Sequence, residues 1–388
     1  MFIFRLILKN ALRHKLRTFL TILGICIAVT AFGFLRTIVT AWSAGVEMSS
    51  VTRMITRHKV SFIMPLPKSY REKIQTIADV DQVTYANWFG GLYKDPNDWK
   101  NFFPRMAVDP ETYFDIYPEF VLSEKELADF RKERNACVVG TKIAKEHGFK
   151  IGDIVSMDGD IYPGKWDFVV RGIYKGKDET WDETQMLFQW DYLNERITQQ
   201  QPTRQGNVGW YVLRVKDQNA MPAVAREVDE LFSNSRAGTK TETEKEFQQS
   251  FVSMSSAIIT SLEAISYIII GIILLILANT IAMAARERTR EYAVLKTLGF
   301  SSVHIVGLIA GESLLLACLG GALGLALTFP ISAGFAKLFP TFFPIFNVED
   351  ITIILAVSVA LLAGIIAATF PTSATLRTKI ADGLRQIG

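Results

Sequence analysis

Four long apolar runs, one near the start and three in the last third, decide most of what this chain can fold into. Thr18 to Leu35, Ala264 to Ala285, Val303 to Phe329 and Ile351 to Phe370 each approach or exceed the length a helix needs to cross a bilayer core, about 20 residues. Only Glu312 and the terminal His304 interrupt the third. In hydrocarbon the backbone has no water to bond to, so such runs become helices. The chain is therefore read as an α-helical membrane protein with four transmembrane helices, one plus three. A two-lobed α/β extracytoplasmic domain lies between the first and second.

Basic residues in the short flanks set orientation, because they are retained on the cytoplasmic side. Arg5, Lys9, Arg13, Lys15 and Arg17 precede the first run; Arg286, Arg288, Arg290 and Lys296 lie between the second and third; Arg377, Lys379 and Arg385 follow the fourth. The loop between the third and fourth runs has only Lys337, then Glu349 and Asp350. Both termini are expected in the cytoplasm, with the chain multi-pass in the membrane. The first run is too long for the roughly 7–15-residue core of a cleaved leader, and Arg36 stands where a small-residue cleavage site would be.

Along the chain are expected a basic cytoplasmic amphipathic segment, 1–17; the first span with a stalk, 18–46; the extracytoplasmic domain, 47–246, with its inserted lobe at about 102–200; a second stalk and span, 247–285; a cytoplasmic helix, 286–302; the third span, 303–330; an outer loop, 331–350; the fourth span, 351–372; and a cytoplasmic tail, 373–388. Net charge is only +3 and is accounted for by topology, so no nucleic-acid footprint is implied. Of three cysteines, Cys26 and Cys318 lie in apolar helices and only Cys137 in the exported domain, which excludes a disulfide framework there.

In that domain, strands are predicted at Val60–Met64, Val83–Phe89, Ala136–Val139, Asp153–Met157, Phe168–Tyr174 and Gly209–Val215. Helices are predicted at Tyr70–Ala78, Glu124–Lys132, Thr141–His147 and Ala223–Phe232. His58 and His147 have no partner at metal or triad spacing, and no GxxxxGK[ST] phosphate loop occurs. The acidic residues Asp178, Glu179, Asp182 and Glu183 read as a solvated loop. Trp88, Phe89, Tyr93, Trp99, Phe102 and Phe103 cluster around a turn region, either as core or as a partner surface.

Both linkers to the membrane alternate apolar residues by three and four: Leu35, Val39, Trp42 and Val46 on one side, Phe247, Phe251, Met254 and Ile258 on the other, continuing to Leu262 and Ile265. Such seams suit helix pairing, and a stiff paired stalk is expected, running without a breaker into each span. Between the second and third spans, Arg286 to Gly299 reads as one short helix with Tyr292, Leu295 and Leu298 on one face and Gly299 at its C-cap. That apolar stripe should meet another protein. Small residues Gly320, Gly321 and Gly324 in the third span and Gly364 in the fourth allow close helix packing, within one chain or between two. Glu312, an acid inside a span, is expected to make an interhelical polar contact, with Asn279 or Arg286 as partners.

The stretch RERTREYAVLKTLGFSSVHIVGLIAGESLLLACLGGALGLAL resembles the FtsX-like permease domain of ABC transporters of the MacB type. The resemblance extends to NALRHKLRTFLTILGICIAV, to AKEHGFKIGDIVSM and to the tail FPTSATLRTKIADGLRQ. It implies a dimer, and a coupling helix formed by Arg286, Glu287, Arg290, Glu291, Tyr292, Leu295, Leu298 and Gly299 seated on an ATPase. It further implies that the ATPase is a separate cytoplasmic ABC subunit, itself a dimer, so that ATP and Mg bind there and no cofactor binds this chain. The expected function is export or extraction of substrate by mechanotransmission; the alternative is FtsX-type signalling to an outer partner such as a cell-wall hydrolase. A second permease copy, identical or related, a periplasmic adaptor with an outer-membrane channel, and the lipid bilayer complete the implied partners. A membrane-anchored enzyme is disfavoured by the missing catalytic spacing.

Overall fold

The computed structural model describes residues 7, 10–47, 50–95, 97–178, 181–339, 343 and 346–377. Four helices are long and apolar enough to cross a membrane: Lys15–Trp42, Ser256–Glu287, Ser302–Leu338 and Asp350–Ser373, hereafter spans 1 to 4. Span 3 runs past the expected start of an outer loop at 331 and carries Pro330 inside it. A proline is tolerated there because neighbouring helices and small local adjustments resatisfy the freed carbonyl.

Contacts divide the chain into two compact units, one of Met1–Ala41, Ser255–Phe335 and Phe346–Gly388, the other of Trp42–Met254 and Ala336–Ile345. In the first, Ile25, Val29, Phe32, Ile273, Leu277, Ile281, Ile309, Leu316, Ala356, Ala360 and Ala363 form a shared core. The glycine positions explain how closely these helices approach. A Cβ on Gly320 would lie 2.6 Å from that of Ile25, and one on Gly324 would lie 2.7 Å from the Cys26 carbonyl oxygen. A Cβ on Gly321 would meet Ala360 at 2.9 Å, and one on Gly364 would meet Ala317 at 2.9 Å. All four glycines expected at a helix interface thus pack within the chain, two against span 1 and two between spans 3 and 4.

The second unit is built on one sheet. Its strand order is Thr239–Thr243, Arg53–His58, Trp210–Val215, Val80–Trp88, Arg105–Val108, Met186–Gln189, Ala136–Gly140, Gly164–Gly176, Ile154–Gly159 and Gly91–Leu92. Residues between Gly91 and Gln200 are an insertion in chain order, yet the seam Ala86↔Val108, Asn87↔Ala107 and Trp88↔Met106 carries the sheet across both lobes without interruption. Alternate side chains fall on opposite faces. Tyr85, Cys137, Phe188 and Leu213 enter one core, while Ala86, Val138, Leu187 and Val212 enter the other. Burial on both faces is why Ala136–Gly140 and Met186–Gln189 are buried at every position.

Helices Glu124–Lys132 and Thr141–His147 form at the expected bounds. The first is closed by a reciprocal capping box, in which the Ser123 side chain accepts from the Glu126 N–H and Glu126 accepts from the Ser123 N–H at 3.0 Å. The second ends at Gly148, whose φ of +73° only glycine adopts without cost. The strand expected at Val60–Met64 is instead irregular, and the strand forms earlier, at Arg53–His58. Residues 239–246, where no element was expected, hold the edge strand Thr239–Thr243 and the first turn of helix Glu244–Met254. Charge concealed both strands. Arg53 is buried against Glu119 and Glu244 at 2.6 and 2.9 Å, and Arg57 bonds Glu242 at 2.8 Å across the pair.

Candidate functional site

The helix of span 2 ends at Glu287, because Arg288 leaves helical geometry at φ −104°, ψ 13°. A separate helix then covers Thr289–Thr297. The single helix expected from Arg286 to Gly299 is therefore two, with a buried arginine at the joint. Its guanidinium donates to Glu312 Oε2 at 2.7 Å and to the carbonyl of Asn10 at 2.7 Å. A buried ion pair is tolerable only when its remaining hydrogen-bonding capacity is satisfied, and the Asn10 carbonyl supplies part of that. Glu312 thus makes the expected interhelical contact with a different partner. Arg286 is exposed, and Asn279 faces a groove of about 430 Å³ between spans 1 and 2.

Beyond the joint, the short helix turns its faces differently from the sequence expectation. Tyr292 is 5% exposed and packs in the core with Ala285, Ile305 and Ile309, and Leu295 is half-buried against the same cluster. Burial, its largest cause, raises the Tyr292 pKa above 10. Two of the three residues assigned to a free stripe therefore have partners inside the chain. Leu298 does not follow them; it is 70% exposed, and Val294, Phe300 and Val303 are exposed with it. The reason is the helix end: Gly299 adopts φ +89°, Phe300 N–H bonds Leu295 O at 3.0 Å and Gly299 N–H bonds Lys296 O at 3.2 Å. This Schellman closure reverses the chain so that residues 298–303 stand outward.

The remaining charges are Arg290, which is exposed, and Glu287 and Glu291, which are held by Arg17 and Arg13 respectively. Sequence reasoning used Arg13, Arg17 and Arg288 only for topology. The signal available was Glu312, an acid in a span whose cation had to come from a helix end.

The linkers depart further from expectation. Helix Glu244–Met254 stops at Ser255, with φ −92° and ψ 8°, before span 2 begins at Ser256. Clustered serines compete for backbone bonds, as Ser253 does with the Ser250 carbonyl at 2.8 Å, so the second stalk is interrupted where an unbroken run was expected. Met254 and Ile258 are exposed, whereas Phe247 packs on Phe62 at 5.4 Å. On the first linker Leu35 and Val39 are half-buried and Trp42 contacts Phe343 at 5.9 Å. The side chains of Val46 and Phe251 lie outside the described residues.

The aromatic cluster divides. Phe89, Tyr93 and Phe103 are buried, Phe89 among Trp166, Phe168 and Phe188, while Trp88 and Phe102 are exposed. The side chain of Trp99 lies outside the described residues. In the acidic loop, Asp182 accepts from Thr184 and Gln185 and Glu183 accepts from the Gly176 N–H, so these carboxylates hold their own loop; Glu179 lies outside the described residues. Among the described residues no group of three or more His, Cys, Asp or Glu could hold a metal.

Residues 18–231 match the MacB-like periplasmic core domain, and residues 263–380 match the FtsX-like permease C-terminal domain. The chain is 25% identical over 349 residues to an uncharacterized ABC transporter permease of Methanocaldococcus jannaschii, covering 82% of this chain and 80% of that one. It is 23% identical over 270 residues to an uncharacterized ABC transporter permease protein of Mycobacterium tuberculosis, covering 67% of this chain and 30% of the relative. Solved structures similar to it include the periplasmic region of MacB from Actinobacillus actinomycetemcomitans, at 12% identity and TM-score 0.39, covering 53% of this chain and 95% of that one. The extracellular domain of the transporter YknZ from Gram-positive bacteria is similar at 11% identity and TM-score 0.36, over 49% of this chain and 98% of that one. With more than half its length matched by the periplasmic core domain and its last three spans by the permease domain, the chain belongs to the MacB/FtsX-like family of ABC transporter permeases.

Proposed function

We propose that this chain is the permease subunit of a MacB-type ABC transporter, docking a separate cytoplasmic ATPase on the Thr289–Thr297 helix and converting ATP-driven closure there into movement of the extracytoplasmic domain. The work performed is export or extraction of substrate. ATP and Mg would bind the ATPase dimer, and a second permease copy would complete the assembly. One observation carries this reading: Val294 on the short helix, Leu298 and Phe300 at the turn that ends it and Val303 at the start of span 3 are exposed apolar residues, while the other face of the helix is anchored in the bundle. Clustered exposed apolar residues mark an interaction site, and a helix anchored in the bundle would pass a partner's movement on to the spans. The basic residues Arg286, Arg290 and Lys296 beside it favour the cytoplasmic side.

The test is recovery of the ATPase. Affinity purification of the full chain from native membranes, followed by mass spectrometry, should return an ABC-type ATPase. The pair Val294→Asp and Leu298→Asp should reduce that recovery at least tenfold while leaving the permease inserted. Undiminished recovery from this variant would refute docking through these residues. Co-recovery of a cell-wall hydrolase without an adaptor would instead favour the FtsX-type signalling role.

A further inference from the structure

The segment that leads into span 1 is bound, turn for turn, to the joint before the short helix. Arg17 bonds Glu287 at 2.8 Å, His14 lies 3.4 Å from the same carboxylate, and Arg13 bonds Glu291. Arg13 and Arg17 are four residues apart, and so are Glu287 and Glu291, with the pairs running in opposite directions. Leu12–His14 forms a 3-10 turn and Arg288 breaks the helix between Glu287 and Glu291, so the two sides of this ladder meet where both backbones leave regular α-helix. The buried Arg288 sits between the rungs, joined to the Asn10 carbonyl and to Glu312 of span 3, each at 2.7 Å. An apolar contact lies beside the set: a Cβ on Gly311 of span 3 would lie 2.5 Å from Ile7 Cδ1, so Ile7 rests directly on that span.

A lone exposed ion pair contributes little. Two rungs in register, a buried pin and an apolar seat together define one pose. Glu287 and Glu291 are also occupied by the chain itself, while Arg290, Val294 and Leu298 stand exposed.

We infer that residues 10–17 are a positioning strap for the ATPase-docking helix: they set its pose before a partner arrives and carry load from it straight into span 1, beside the covalent route through spans 2 and 3. The inference rests on the docking reading above. Pre-setting the helix would lower the ordering cost of binding.

The experiment uses the full chain in nanodiscs and the ATPase recovered with the wild-type chain. Glu287→Arg with Glu291→Arg breaks both rungs without removing basic residues that set topology. Backbone hydrogen exchange across 289–299 should rise, and the half-saturating ATPase concentration should increase about tenfold. Adding Arg13→Glu and Arg17→Glu should restore both. That rescue separates positioning from direct contact, since acids touching the ATPase themselves would not be replaced by arginines on the docking helix. Wild-type exchange and affinity in the double reversal, or a four-residue swap as impaired as the reversal, would overturn the strap. If the wild-type chain recovers no ATPase, the docking reading fails, and the exchange measurement alone decides the strap.

Discussion

Arg53 holds together the two places where the chain enters and leaves the globular domain. It lies 3% exposed in the first strand, bonded to Glu244 at the start of the helix that leads out, and to Glu119; its guanidinium sits 4.3 Å over the Tyr117 ring. The Ser50 N–H donates to the same Glu244 carboxylate at 2.9 Å. Burial lowers the Arg53 pKa, but Glu244, Tyr117 and Glu119 outweigh it, and the net shift is upward. Removing one partner of a buried pair leaves the others uncompensated, so Arg53→Met should destabilise the domain by about 3–5 kcal/mol in thermal unfolding. His147 is a second case. Burial first, then Lys94 and Arg105, hold its pKa below 6.5 among Tyr93, Phe103 and Phe149. A depressed histidine pKa means the unfolded chain binds the proton more readily, so this contribution is complete above pH 6.5 and is lost as pH falls toward the lower folded value. Melts of wild type and His147→Gln between pH 8 and 5 should show a steeper loss in wild type; parallel curves would remove His147 from the account.

At the scale of elements, helix contact in the span bundle depends on missing side chains. Gly324 admits the Cys26 carbonyl and Val29, and Thr30 Oγ1 donates to the Gly324 carbonyl at 3.0 Å. Gly324→Ala must push spans 1 and 3 apart and should cost about 1–3 kcal/mol, measured by unfolding in detergent. Gly334, where an added Cβ meets nothing within 4 Å, is the control; Gly334→Ala should leave stability unchanged or slightly raised. Equal effects at the two sites would show that packing at Gly324 is looser than its contacts indicate.

For the whole molecule, a domain with its own continuous sheet and two apolar cores should fold without the spans. Residues 50–254 expressed alone should unfold in one cooperative transition, and an aggregated product would contradict an independent domain. The proposed mechanical coupling makes a separate demand on the linkers. Because Ser255 already interrupts the second, the first, within the helix Lys15–Glu47, is the better candidate for a stiff transmitter. A short Gly-Ser insertion after Val46 should leave ATPase recovery intact and stop transport, whereas the same insertion at Ser255 should be milder. Equal tolerance at both sites would move transmission away from the linkers.

What the amino-acid sequence determined by itself was the set of elements whose local pattern is strongest. Span length and hydropathy located the four membrane helices, and periodicity located Glu124–Lys132 and Thr141–His147. Tertiary structure alone decided which charges could be buried and which apolar face was already covered. Arg53–His58 and Thr239–Thr243 look like solvated segments until Arg53 meets Glu119 and Glu244, and Arg57 meets Glu242, each from a distant part of the chain. Tyr292 looks like a free docking residue until the fold brings Ile305 and Ile309 against it, leaving Leu298 outward. In each case the deciding energy is desolvation offset by a partner far away in sequence, and no window along the chain contains both halves of that balance.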